Sequence, residues 1–107
     1  GEAAARVLLG GAHPPTAVLA QNDILAAGAL AAASGFGLRV PEDLTVTGFD
    51  GVELPWLGRA LTTVRQPLRE RGRRAGEIAL ALIRGEQPSS VVLPVEFVAG
   101  TTAGPPR

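Results

Sequence analysis

Gln21-Asn22-Asp23-Ile24-Leu25-Ala26-Ala27-Gly28-Ala29-Leu30 comes directly after the apolar run Ala17-Val18-Leu19-Ala20. A short apolar run bounded by turn residues is a buried strand. The residues after the polar pair are mostly small helix formers. A strand therefore turns into a helix here, with two polar side chains at the junction. In an open α/β sheet, ligands bind outside the carboxyl ends of the strands. Asn and Asp are equally good N-caps, so one of the pair caps the helix and the other is left for a crevice. The sequence assigns the cap to Asp23 and the ligand to Asn22, whose amide both donates and accepts. A second junction of the same kind is Leu44-Thr45-Val46-Thr47-Gly48-Phe49-Asp50-Gly51. Asp50 there is either a turn residue or a ligand contact.

Outward from this centre the pattern alternates. Residues 1–9 read as a helix already under way that stops at Gly10-Gly11. Residues 16–20 are the first strand. The small-residue helix spans 23–34, its Ala and Gly content suits close packing on a sheet or a second helix, and Gly35 and Gly37 end it. Residues 44–48 form the second strand, with β-branched Thr45, Val46 and Thr47. Residues 52–59 are irregular or one short helical turn, and 61–65 are extended. Pro67, suited to a first helical position, opens the longest helix, to about Arg84. Leu68, Ala75, Ile78, Ala79 and Leu82 recur along it as an apolar stripe. Strands over 91–93 and 95–99 are separated by Pro94, and residues 101–107 are expected to be a loose tail. Strands alternating with helices imply an α/β fold with a largely parallel open sheet.

Composition narrows the function. The 107 residues carry ten basic and ten acidic side chains, a formal net charge of zero. Nucleic-acid binding needs a basic surface to neutralise phosphates, so this segment is not expected to bind DNA by itself. Arg69, Arg71, Arg73 and Arg74 are expected to form a solvated helix face. With no Cys, thiolate metal sites and disulfides are excluded. The single His, His13, lies in a loop beside Pro14-Pro15 and is expected to be a surface residue. A carboxylate nucleophile in Gly48-Phe49-Asp50-Gly51 would lack a base, and no Gly-x-Ser-x-Gly elbow is present. No enzyme, catalytic residue, metal or cofactor is expected. No apolar run approaches a bilayer-spanning length and no signal-peptide pattern opens the chain, so the expected location is cytoplasmic. The absence of Met is what a fragment of a longer chain would show.

The run Pro15-Thr16-Ala17-Val18-Leu19-Ala20-Gln21-Asn22-Asp23-Ile24-Leu25-Ala26-Ala27-Gly28-Ala29-Leu30 and the segment Gly37-Leu38-Arg39-Val40-Pro41-Glu42-Asp43 resemble the lactose/galactose repressor (LacI/GalR) family. So do Val46-Thr47-Gly48-Phe49-Asp50, Leu61-Thr62-Thr63-Val64-Arg65-Gln66-Pro67 and Leu93-Pro94-Val95-Glu96-Phe97-Val98. The motifs come in the family's order and cover nearly the whole chain. The loop over 51–60 departs from the pattern by about one residue, and Gly51 replaces a frequent acidic or polar residue. The resemblance implies a bacterial transcription regulator: an N-terminal helix-turn-helix joined to a two-lobed sensor like a periplasmic sugar-binding protein, with effector in the interlobe cleft. This chain would be the C-terminal part of that sensor. Residues 1–61 would belong to the C-terminal lobe, 62–90 would hold a hinge crossing and an N-terminal-lobe helix, and 91–107 would return. DNA would be met only through a headpiece this chain lacks.

The resemblance also implies roles. The Asp of the Gly-aromatic-Asp motif, Asp50, contacts effector. Gln66 matches a polar position that contacts ligand in related sugar-binding proteins; on its own residues it is equally a cap or hinge side chain. Trp56 reads as core, ligand platform or dimer contact, and the family places its loop, with the helix carrying Leu25, near the subunit interface. A homodimer and a small-molecule effector are thus the expected partners, a sugar being the family's commonest effector and purine-like ones also occurring. The alternative is a periplasmic sugar-binding protein of the same fold. The motif over 62–67 and the absence of a secretion signal favour the regulator.

Overall fold

Two helices of mostly small side chains cross at close range on one side of the sheet. The computed structural model describes residues 1–105. Helix α1 (Glu2–Leu9) buries Ala5 and Leu9, one turn apart on a single face. Helix α2 (Asp23–Gly35) buries Asp23, Ala26, Ala27, Ala29, Leu30, Ala32 and Ala33. Burial on more than one side is what an almost wholly apolar helix requires. α2 is sandwiched between α1 and the sheet. A Cβ added at Gly28 would stand 2.5 Å from the Glu2 backbone nitrogen, so the two backbones nearly touch.

Both long helices end alike. At α2 the Leu38 N–H reaches Ala33 O at 3.0 Å and the Gly37 N–H reaches Ser34 O at 3.0 Å. At the end of helix α3 (Leu68–Ile83) the Glu86 N–H reaches Ala81 O at 3.0 Å and the Gly85 N–H reaches Leu82 O at 3.0 Å. Each pair is a Schellman closure, which needs a left-handed residue. Gly37 and Gly85 supply it, with φ of 69° and 78°.

Strand β1 (Ala17–Leu19) pairs in parallel with β2 (Thr45–Thr47), Val18 opposite Val46. Beyond β2 the chain runs parallel to residues 62–66, through bridges Thr47↔Thr62 and Asp50↔Arg65. Strand β3 (Thr63–Arg65) pairs antiparallel with β4 (Glu96–Val98). The core is small: Ala5, Leu9, Ala26, Ala29, Leu30, Ala32, Ala33, Leu44 and Val46, all at the α1–α2–β2 contact.

Three expectations are corrected. Residues 91–93 form no strand; Val92 is 95% exposed and no strand among the described residues pairs with them. Pro67 is the N-cap rather than the first helical residue, its carbonyl accepting from Arg71 N at 2.8 Å. The segment from Thr101 to Gly104 is not loose. Thr102 is fully buried. Its carbonyl accepts from Val46 N at 2.8 Å, and its hydroxyl accepts from Thr62 N at 2.9 Å. Gly104 N donates to Thr45 Oγ1 at 3.1 Å. The last two residues of the expected tail, 106–107, lie outside the described residues.

α3 stands apart. None of its residues is buried; Leu68 is 48% exposed and Leu82 60%. The radius of gyration is 17.7 Å, with extents of 56 × 25 × 24 Å, against about 13 Å for a compact chain of this length. The arginine cluster behaves as a solvated face. Arg73 pairs with Glu70 at 2.5 Å and also with Glu77, and Arg74 pairs with both glutamates at 3.3 Å. The Arg73 hydrogen bond holds the Glu70 carboxyl below its ordinary pKa.

Candidate functional site

The carboxyl ends of β1 and β2 point the same way, because the pair is parallel. Ala20 N donates to Thr47 O at 2.8 Å, and Asp23 N donates to Phe49 O at 2.9 Å. These bonds bring both strand-to-helix junctions side by side. A depression of about 380 Å³ opens there, lined by Leu19, Ala20, Gln21, Thr47, Gly48, Phe49 and Val64. Asn22 and Asp50 are the residues that come next after Gln21 and Phe49 in the chain.

The polar pair at the junction has roles opposite to those the sequence suggested. Asn22 is the N-cap: its Oδ1 accepts from Leu25 N at 2.8 Å. Asp23 is only 1% exposed. Its Oδ2 accepts from Val52 N at 2.8 Å and its Oδ1 from the Thr63 hydroxyl at 2.5 Å. Asp23 thus ties the first turn of α2 to the loop after Asp50 and to β3. A buried carboxylate is tolerated when its oxygens are hydrogen-bonded, as here. The Asn22 carbonyl oxygen is committed to the cap, which leaves its amide nitrogen as the group it can offer a ligand.

Asp50 carries the one positive φ among the described non-glycine residues, 108°. That region is sparsely populated for side-chain-bearing residues and costs about 1–3 kcal/mol. The neighbourhood enforces it. Asp50 N donates to Val64 O at 2.9 Å, and Gln66 N donates to Asp50 O at 2.9 Å. The Gln66 side chain adds a third hold, Nε2 donating to Asp50 Oδ1 at 2.5 Å. Gly51 completes the turn with φ of 72°, and a Cβ there would meet Arg65 Cα at 2.6 Å. The glycine that stands in place of a polar residue is therefore required where the backbone passes over β3. Strain held by such surroundings concentrates at ligand clamps and active sites.

Of the sequence candidates, Asp50 and Gln66 are in direct contact, and Asn22 sits at the neighbouring junction. Trp56 lies in a 3-10 turn, Pro55–Leu57, and is 67% exposed. Leu25 is half-buried, and the exposed apolar side chain of that turn is Ile24, at 58%. Sequence reasoning missed Thr63 and Arg71; the latter donates to Gln66 Oε1. No local signal marks Thr63, because its partner is forty residues away. Among the described residues no group of three or more His, Cys, Asp or Glu is placed to hold a metal. No helix among them is long and apolar enough to cross a membrane.

The periplasmic binding protein-like domain family matches residues 1–103. The chain belongs to that family. This periplasmic binding protein-like domain is 46% identical over 106 residues to an HTH-type transcriptional regulator of Mycobacterium tuberculosis, covering 99% of the chain and 29% of the relative. It therefore spans under a third of that relative's length. Among solved structures it resembles the Lac repressor dimer bound to operator and the anti-inducer ONPF, with TM-score 0.83 and 33% identity over 95% of this chain and 36% of that one. It also resembles a LacI-family regulator from Arthrobacter sp. in complex with lactose, with TM-score 0.78 and 38% identity over 96% of this chain and 40% of that one. The α/β fold is that of the Lac repressor sensor, and the relatives are transcriptional regulators rather than enzymes.

Proposed function

We propose that this domain is the C-terminal part of the effector sensor of a LacI/GalR-type transcription regulator. It contributes one wall of a small-molecule cleft, with a sugar as the effector class. The observation that carries this reading is Asp50, a half-buried carboxylate held in a strained backbone at a strand end, beside the depression where two parallel strands end. The Lac repressor and the Arthrobacter regulator, relatives of the same fold, bind ONPF and lactose respectively.

In this reading residues 1–61 belong to the C-terminal lobe, residues 62–90 cross the hinge and place α3 on the other lobe, and the last segment returns. The separation of α3 from the core supports that division, since none of its residues is fully buried and Leu68 and Leu82 of its apolar stripe are exposed. Effector gripped between Asp50, Gln66 and the Asn22 amide favours one lobe arrangement. It shifts the regulator only by its differential affinity for the two states. DNA is contacted through a helix-turn-helix outside this chain, in the cytoplasm, by a homodimer in which Leu25 and Trp56 lie at or near the interface.

A thermal-shift screen of the intact protein against sugars, lactose first, and nucleosides tests the reading. A true effector at a hundred times its Kd stabilises by about 2.7 kcal/mol and raises Tm. A flat response across both classes refutes effector sensing, and a response to nucleosides alone refutes the sugar. Light scattering of the same sample reports the dimer.

A further inference from the structure

The Gln66 amide stands between two groups of opposite hydrogen-bonding character. The Arg71 guanidinium donates to its Oε1, and its Nε2 donates to Asp50 Oδ1 at 2.5 Å. A guanidinium can only donate and an ionised carboxylate can only accept. The orientation of the amide is therefore dictated from both ends. Asp50 Oδ1 is committed to Gln66, while Oδ2 has no partner among the described residues. Arg71 lies in the first turn of α3, where its own N–H bonds to Pro67 O at 2.8 Å. Gln66 directly precedes the Pro67 cap of that helix and is joined to Asp50 by the bond between Gln66 N and Asp50 O.

We propose that Arg71 is a positioning residue for the effector site: it holds the Gln66 amide with Nε2 toward Asp50 Oδ1, which leaves Oδ2 as the carboxylate oxygen available to effector. The inference rests on the reading that Asp50 contacts effector. It adds a coupling route. Without Arg71 the amide is held from one end only, by its bond to Asp50 Oδ1, and its hold on that orientation is weaker. A tilt of α3 that withdraws Arg71 would do the same, so the attitude of that helix is felt at Asp50.

The experiment monitors the side-chain NH₂ of Gln66 by ¹⁵N NMR in the intact, ligand-free protein with glutamine-selective labelling. Gln66→Glu assigns the signal, and exposed Gln87 is the reference. Exchange of the Gln66 amide protons with solvent is expected to be slower than for Gln87 by about fivefold or more, the scale of one net hydrogen bond. Arg71→Met reduces that protection. Arg71→Lys, which still donates, retains at least part of it. Undiminished protection in Arg71→Met overturns the proposal, and so does loss in Arg71→Lys equal to that in Arg71→Met. Because Arg71 is exposed, the variants do not threaten the fold. No ligand is needed, so the outcome is independent of whether the sugar screen succeeds.

Discussion

Replacing Asp23 with Ala removes one carboxylate and strands two donors. The Val52 N–H loses its acceptor at 2.8 Å and the Thr63 hydroxyl loses its acceptor at 2.5 Å. Hydrogen bonds to a charged group contribute about 1.5–3 kcal/mol each, so the pair gives roughly 3–6 kcal/mol. Asp23 also begins α2, where a negative charge against the helix N-terminus adds about 0.3–1 kcal/mol. Against a total stability of about 5–15 kcal/mol, Asp23→Ala is among the most damaging single changes available. Thr63→Val removes the hydroxyl and keeps the shape. The Asp23–Thr63 cycle should show a coupling of about 1.5–3 kcal/mol, because the two residues share one bond. Urea unfolding monitored by far-UV circular dichroism measures both, with the slope m unchanged if only stability is altered. A loss under about 1 kcal/mol in Asp23→Ala, or additivity within about 0.5 kcal/mol in the cycle, would refute the role given to this carboxylate.

Two further outcomes are expected. Asn22→Ala deletes the N-cap acceptor of Leu25 N and should cost about 1 kcal/mol, well below Asp23→Ala. The reverse ranking by the same urea assay would restore the cap to Asp23. For α3, the Glu70 carboxyl is held below its ordinary value of 4.5 by its hydrogen bond to Arg73. A depressed carboxyl contributes stability above its unfolded pKa and loses it as pH falls through the folded value. Helical circular dichroism should therefore hold from neutral pH down to that range and decline below it, with a smaller decline in Glu70→Gln. Equal acid profiles for the two proteins would count against the pairing.

Most elements were legible because they are local. The buried runs, the small-residue helix and the Gly37 and Gly85 stops announce themselves within a few residues. The same holds for the placing of Asp50 at a strand end. What escaped was set by distant partners. Asn22 and Asp23 are equivalent caps in isolation, and only the distant positions of Phe49, Val52 and Thr63 decide which one is buried. The Thr101–Gly104 segment looks like a polar tail until Val46, Thr62 and Thr45 supply its bonds. Asp50's positive φ comes from parallel pairing with residues 64–66, which no turn rule foresees. The strand expected over 91–93 had the right composition but no pairing strand among the described residues.

Effector binding through Asp50 is the centre of the account, and calorimetric titration of the intact protein and its Asp50→Asn variant tests it most directly. The titrant is the sugar giving the largest thermal shift, beginning with lactose. Asn keeps the shape and removes the charge, so affinity should fall by about 1.5–3 kcal/mol, the scale of a charged hydrogen bond. That corresponds to a roughly ten- to 150-fold weaker Kd, with unfolding little changed. An unchanged Kd in a folded Asp50→Asn protein would contradict the account and remove Asp50 from the site.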